Sequence, residues 1–225
     1  MSARLPRNIA VNTMKTSKTA ARPKTSKQLV HDFMKEQIFN AVVSAAEKKS
    51  WAVVSIDDVI EEMGASKGTI YHYFKSKKEL MIAMWLNQQR QVYRELLPIS
   101  HDKTLKPAAR LEATIRNHVL LLCRNWRANK AIWASALLTM KWDEEADKEL
   151  MAERQMGING YIKMIRALHP GDRQNPVLYE YLATAVIQSI EAVMLWYQEP
   201  FPLTAEQLAE MMSGMLMQGL LKKPG

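Results

Sequence analysis

The sequence predicts an all-α protein, with an N-terminal three-helix unit containing a helix-turn-helix and a larger helical domain after it. Three observations carry this. Residues 66 to 80 hold two capped helix starts around an aromatic cluster, apolar residues recur at helical spacing along most of the chain, and no alternating strand pattern interrupts them. The breaks fall where Pro and Gly gather, as at His169-Pro-Gly-Asp172 and Glu199-Pro-Phe-Pro202.

Residues 1–27 show no periodic pattern and are rich in Ser, Thr, Lys, Arg and Pro, which reads as a flexible basic arm. Arg22, Lys24 and Lys27 could track a nucleic-acid backbone or minor groove, and a plain disordered terminus accounts for them equally well. Val30, Phe33, Met34, Ile38, Ala41, Val42 and Ala45 then trace one face of a long helix. A second, short helix opens at Ser55-Ile-Asp-Asp58, a capping signal with Asp in place of Glu, and Ile56, Val59, Ile60 and Met63 line its apolar side. Gly64-Ala-Ser66 is the turn. A third helix of about two turns starts at the N-cap Ser66, with Ile70 and Phe74 on one stripe and Thr69 and His72 turned away from it. Ser76 with Glu79 reads as a capping box that starts the next helix. Two short helices joined by a tight Gly-containing turn match a motif whose second helix enters the DNA major groove.

The segment from Gly64 resembles the signature of the TetR/AcrR family of transcriptional regulators. The matching positions are Gly64, Ser66, Lys67, Gly68, Thr69, Ile70, Tyr71, Phe74, Lys77 and Leu80, within a resemblance that covers roughly residues 33 to 85. Two positions depart from the family pattern: Ile60 stands where Ala is usual, and Ser50 where a Gly commonly ends the first helix. The resemblance implies a dimeric regulator that binds a palindromic operator and is released by a small molecule. On this reading Lys67, Thr69, Tyr71, His72 and Tyr73 face bases or phosphates, as does Ser55 at the start of the second helix. Ser66 and Gly68 permit close backbone approach, and Lys77 with the helix beginning at Ser76 clamps a phosphate.

Charge agrees. The 225 residues carry a formal net charge of +8, and residues 1–80 hold 14 Lys/Arg against 8 Asp/Glu, a net of +6, leaving +2 for the rest. The run from Met63 to Lys78 is free of acid and holds Lys67, Lys75, Lys77 and Lys78. A single cysteine, Cys123, excludes an internal disulfide and a Cys-based zinc site and suits a cytoplasmic location. The most apolar stretch, Leu178 to Gln198, contains Glu180, Gln188 and Glu191 and is a poor membrane span. No cofactor or metal is expected, because the five histidines show no ligand spacing and no nucleophile-elbow, phosphate-loop or dinucleotide motif is present.

Residues 28–80 are therefore assigned to the helix-turn-helix domain, and 81–225 to a helical effector-binding and dimerisation domain. Helices are expected at about 77–97, 107–125, 130–141, 144–168, 177–198 and 205–221, the last opening on a capping box at Thr204 and Gln207. Leu182, Val186, Ser189, Val193 and Trp196, with Leu208, Met211, Met212, Met215 and Gly219, form two apolar stripes. These fit intramolecular core, and the resemblance implies instead a four-helix interface between two subunits. Trp126, Trp133, Met140, Met156, Tyr161 and Met164 gather bulky, adaptable side chains in the middle helices, and they fit either core packing or a pocket for a hydrophobic effector. The segment from Trp196 to Ala209 resembles family members that sense fatty-acyl or sterol-like effectors, and this resemblance implies that class. The partners expected are thus duplex DNA, a hydrophobic small molecule and a second copy of the chain, with no membrane.

Two alternatives stay open. One is an effector-independent DNA-binding protein. The other is an all-helical prenyl-diphosphate enzyme, in which Asp57-Asp58-x-x-Glu61-Glu62 holds Mg²⁺ and Asp143-Glu-Glu-x-Asp147 supplies a second acidic cluster. Ordinary acids in the first turn of a helix explain both clusters as well.

Overall fold

A computed structural model describes residues 25–49, 54–124, 130, 144–170, 176–196 and 202–222, excluding the side chains of 144–147 and 193–196. All regular structure among the described residues is helical. The helices are α1 (Ser26–Lys48), α2 (Ile56–Met63), α3 (Lys67–Tyr73), α4 (Lys77–Ser100), α5 (Pro107–Arg124), α6 (Glu144–Arg166), α7 (Pro176–Trp196) and α8 (Ala205–Leu220). The helix expected at 130–141 lies outside the described residues apart from Lys130.

Local capping sets most of the boundaries. At Ser55 both halves of the capping box form, with Ser55 Oγ accepting from the Asp58 N–H at 3.2 Å and Asp58 Oδ2 accepting from the Ser55 N–H at 2.8 Å. Asp, though shorter than Glu, thus closes the box. Gly64 ends α2 in the left-handed region at φ 62°, where a Cβ would be strained. Thr204 and Gln207 close a third box at the start of α8. At Ser76 the box is only half made. Ser76 Oγ accepts from the Glu79 N–H, but the Glu79 carboxylate reaches one residue further back to the Lys75 N–H at 2.7 Å.

Two helix ends differ from expectation. The first helix begins at Ser26, so Lys27 belongs to α1 and not to an arm. Its signal is a capping box, Thr25-Ser-Lys-Gln28, in which Thr25 Oγ1 accepts from the Gln28 N–H and Gln28 Oε1 from the Thr25 N–H. The fourth helix runs through Pro98 to Ser100 instead of stopping before it. A proline this close to a C-terminus forfeits one intrahelical bond. The Leu97 carbonyl beside it is well served, accepting from the His101 N–H at 3.1 Å and from Ser100 Oγ at 3.1 Å.

Two apolar cores organise the chain. The first gathers Ile38, Val42 and Ala45 of α1, Val54, Val59 of α2, Ile70 of α3 and Phe74, and then Leu80, Met81, Met84, Trp85 and Leu86 along α4. The bulky Ile60 packs at its edge, partly buried. The second core lies between α4, α5, α6, α7 and α8, centred on Leu111, Ile115, Leu122, Ile165, Ala183 and Ile187. Leu150 of α6 joins the first core rather than the second. A boundary at residue 80 therefore falls inside the continuous helix α4, whose first turns belong to one core and whose later turns, from Val92, belong to the other.

The apolar face expected on α1 is buried only from Ile38 onward. Val30 and Phe33, read as covering residues, are 61% and 58% exposed, and Leu29 is exposed with them. Tyr73 of α3 meets His31 in this part of α1, but no described helix covers Leu29, Val30 or Phe33.

Burial of Ile70 and Phe74, at 0% and 2% exposure, is what fastens α3 to the rest. At about 25 cal/mol per Å² each contributes roughly 1.5–3 kcal/mol, whereas a seven-residue helix has almost no stability of its own. Replacing Ile70 with Ala is expected to lower the unfolding free energy by about 2–5 kcal/mol in urea titration, and a loss below about 1 kcal/mol would contradict this packing.

Candidate functional site

α3 presents its other side to solvent. Ser66 caps it through Oγ, which accepts from the Thr69 N–H at 3.2 Å and lies 2.9 Å from Thr69 Oγ1. Beyond the cap, Lys67, Gly68 and His72 are exposed, Tyr71 is 43% exposed, and Thr69, Tyr73 and Lys77 are half-buried. Ser55 is exposed at the neighbouring start of α2. The nine residues singled out from the sequence thus lie on or beside one two-helix unit, none of them sealed in a core. Tyr73 is braced on both sides. Its ring centroid lies 5.0 Å from that of His31 on α1 and 5.1 Å edge-on from His72.

Behind this surface the acids of α2 are engaged with cations. Asp58 pairs with Lys49, and that hydrogen bond, with those from Ser55, holds its carboxyl well below the usual range. Glu62 pairs with Lys48 and accepts from Ser44 Oγ at 2.6 Å, which lowers its pKa as well. These pairs tie α2 to the end of α1. Asp57 Oδ1 lies 3.2 Å from Lys67 Nζ, an exposed contact that water and salt weaken. Three carboxylates of the Asp57-Asp58-x-x-Glu61-Glu62 set are therefore paired with protein cations, two at the end of α1 and one on α3. No group of His, Cys, Asp or Glu among the described residues is arranged to hold a metal ion. The side chains of the Asp143–Asp147 cluster lie outside the description, as do Arg22 and Lys24.

The second domain corrects several assignments. Of the six residues offered for an effector pocket, Tyr161 and Met164 are buried in its core, and Met156 is 59% exposed on the outer side of α6. Met156 falls five residues before Tyr161, about 500° around the helix, and so points away from it. Trp126, Trp133 and Met140 lie outside the described residues.

Of the ten residues offered for a dimer surface, Val186, Leu208 and Met212 belong to the subunit's own core and cannot also face a partner. Leu182 and Ser189 are half-buried, Met211, Met215 and Gly219 are exposed, and the side chains of Val193 and Trp196 are outside the description. α8 is apolar on both sides, and packing against α5 selects the Leu208–Met212 side. The outward side carries Met211 and Met215. Val177 and Tyr181 of α7, which the sequence reading passed over, are exposed at 54% and 70%.

The reading also missed a polar cluster inside this domain. His118 Nδ1 on α5 lies 3.0 Å from the Tyr161 hydroxyl on α6, both buried. Arg154 on α6 donates to Glu191 Oε2 on α7 at 3.1 Å, and Arg90 on α4 donates to Glu149 and Glu153 on α6. Burial pushes Glu191 up to about 7 and His118 down to about 4, and raises Tyr93 and Tyr161. His118 and Tyr161 are 43 residues apart, and nothing local links them. Glu191 was a visible signal, being an acid in the most apolar helix.

Comparison with known proteins agrees with this geometry. Residues 38–84 match the family described as bacterial regulatory proteins of the tetR family. Over 78 residues the chain is 33% identical to an uncharacterised HTH-type transcriptional regulator from Lactococcus lactis, a match covering 35% of this chain and 40% of that relative's length. Its fold is similar to the fatty acid degradation regulator FadR from Bacillus halodurans, with a TM-score of 0.68 and 14% identity over 88% of this chain and 98% of that one. It is also similar to AibR, solved with isovaleryl coenzyme A and operator DNA, with a TM-score of 0.66 and 19% identity over 82% and 97%.

The buried histidine yields a test. A base whose folded pKa is depressed contributes stability that is present above its unfolded value near 6.5 and is lost as pH falls toward 4. Glu191 works in the opposite sense, losing stability as pH rises from about 4.5 to about 7, so the wild-type profile alone mixes the two. The difference between wild type and His118→Gln isolates the histidine. Between pH 6 and 5 the wild type is expected to lose about 1 kcal/mol relative to the variant in denaturant titrations, and parallel profiles would contradict a neutral buried His118.

Proposed function

We propose that this chain, a member of the TetR family of bacterial regulatory proteins, acts as a repressor that binds a palindromic operator as a homodimer and releases it on binding a bulky hydrophobic small molecule. The observation that carries the reading is the outward display of Lys67, Gly68, Thr69, Tyr71 and His72 on a helix anchored from behind by Ile70 and Phe74. A helix of this length on a two-helix support fits the major groove, where side chains at its start reach base edges and its flanks meet phosphates. Gly68 supports this. A Cβ there would meet only Ser66 Oγ, at an ordinary 3.7 Å, so the fold itself makes no demand for glycine, and its bare backbone serves an approach from outside. Ser66 and the cap at Ser76 offer backbone N–H groups to phosphate oxygens beside Lys77.

The dimer surface proposed is the outward side of α7 and α8, where Met211, Met215 and Gly219 of α8 and Val177 and Tyr181 of α7 are exposed and would meet their copies across a two-fold axis. Exposed apolar groups of this size on two helices are the usual substrate of such an interface. A hydrophobic effector is supported by fold likeness to AibR, crystallised with isovaleryl coenzyme A, and to the fatty acid degradation regulator FadR. Effector and DNA are then linked energetically: a ligand that prefers the conformation with badly spaced α3 helices weakens operator binding by no more than its preference between the two states. Among the described residues no helix is long and apolar enough to cross a membrane.

Tyr71→Ala and Lys77→Ala are each expected to weaken binding to a selected operator roughly 5- to 100-fold in gel-shift titrations, and Lys77→Ala to reduce the salt slope by about one. Unchanged retention would remove the assignment. Light scattering is expected to give twice the 25.8 kDa chain mass for the wild type and the single-chain mass for Met215→Glu. A wild-type monomer at micromolar concentration would refute the dimer.

A further inference from the structure

We propose that the buried polar cluster of the second domain receives the head group of the effector, and that this head group is a hydrogen-bond donor without negative charge, an amine or an alcohol on a hydrophobic body. The proposal rests on the reading above that this domain binds an effector, and it narrows the class.

Four helices contribute to the cluster: Tyr93 from α4, His118 from α5, Glu153, Arg154 and Tyr161 from α6, and Glu191 from α7. Gly157 is what brings them together. A methyl group at that position would lie 2.2 Å from the Tyr93 hydroxyl, so only glycine lets α4 press this phenol against α6, one turn from Glu153 and one from Tyr161. There the phenol feels the charges of Glu191, Arg154 and Glu153.

The charges in this region favour one kind of guest. Both arginines are occupied, Arg90 by Glu149 and Glu153 and Arg154 by Glu191. Three carboxylates face two guanidinium groups. A carboxylate or phosphate entering here would therefore find no spare cation among these residues and would meet Glu153 and Glu191. A donor finds the reverse. Glu153 is 8% exposed, and its Oε2 is sealed from solvent with no hydrogen-bond partner, while Oε1 takes the Arg90 Nε–H. A buried carboxylate oxygen without a donor is costly, and an ammonium or hydroxyl group satisfies it. The apolar side chains of the surrounding core, Val92, Ile158, Val186 and Ile187 among them, suit the hydrophobic body.

The full-length protein is titrated calorimetrically, without DNA, with decylamine, decanol and decanoate below their micellar concentrations. The amine or the alcohol is expected to bind at least tenfold more tightly than the carboxylate. Which of the two leads tells whether the site selects charge or a neutral donor. Glu153→Gln is expected to weaken the leading ligand at least fivefold without weakening decanoate, a narrowing of the gap that general loss of packing does not produce. Should that variant fail to fold, Tyr93→Phe replaces it, with the same loss expected. Decanoate binding as tightly as the other two, no binding of amine or alcohol, or an unchanged ratio between the leading ligand and decanoate in the folded variant would each overturn the proposal. Operator retention is measured in parallel. If it persists while the ranking fails, only the head-group assignment falls; if retention itself is absent, the regulator reading falls.

Discussion

The structure depends first on the burial of two side chains four residues apart, Ile70 and Phe74. α3 has seven residues, too few to persist alone in water, and it exists because these two side chains are inserted among Ile38, Val42, Val59 and Leu80. One stripe of a helix cannot be held inward without the opposite stripe being displayed. The exposure of Tyr71 and His72 is thus the geometric complement of the core. Lys35 over the Phe74 ring, at 5.5 Å, and the His31–Tyr73 ring contact extend the same fastening to α1.

α4 converts a local fastening into a connection between domains. Its first turns, Leu80 to Leu86, complete the core that holds α3, and its later turns, Val92 and Leu96, are packed into the second core. α6 leans on the same helix from the other side. Leu150 enters the first core, while Glu149 and Glu153 on either side of it hold Arg90, and one turn further on Gly157 leaves room for the Tyr93 hydroxyl. Anything that shifts α6 along α4 therefore acts on the support of α3 through packed side chains. Closely packed helices rearrange in discrete steps rather than deforming smoothly, which is the property an effector-driven release requires.

Legibility from sequence followed the range of the interactions. The caps at Ser55, Ser66 and Thr204, the glycine turn at Gly64 and the outward side of α3 all involve residues within a few positions of one another, and all were readable. Where a helix has apolar residues on more than one side, periodicity does not say which side finds a partner. Val30 and Phe33 continue the α1 stripe yet stay exposed, and Leu208 and Met212 turn inward where Met211 and Met215 do not. The polar cluster was illegible for a different reason. His118, Tyr161, Arg154 and Glu191 come from three helices brought together only by the tertiary fold, and each alone resembles an isolated polar residue.

The claim beneath all of this is that α3 enters the major groove of a duplex. The direct measurement is a guanine-methylation protection footprint on a binding site selected from random duplexes with the purified chain. The account predicts two protected major-groove windows on one face of the DNA, with centres separated by about 10 base pairs or a multiple of that, related by the symmetry of the selected sequence. No enriched sequence, or protection confined to the minor groove, would contradict it.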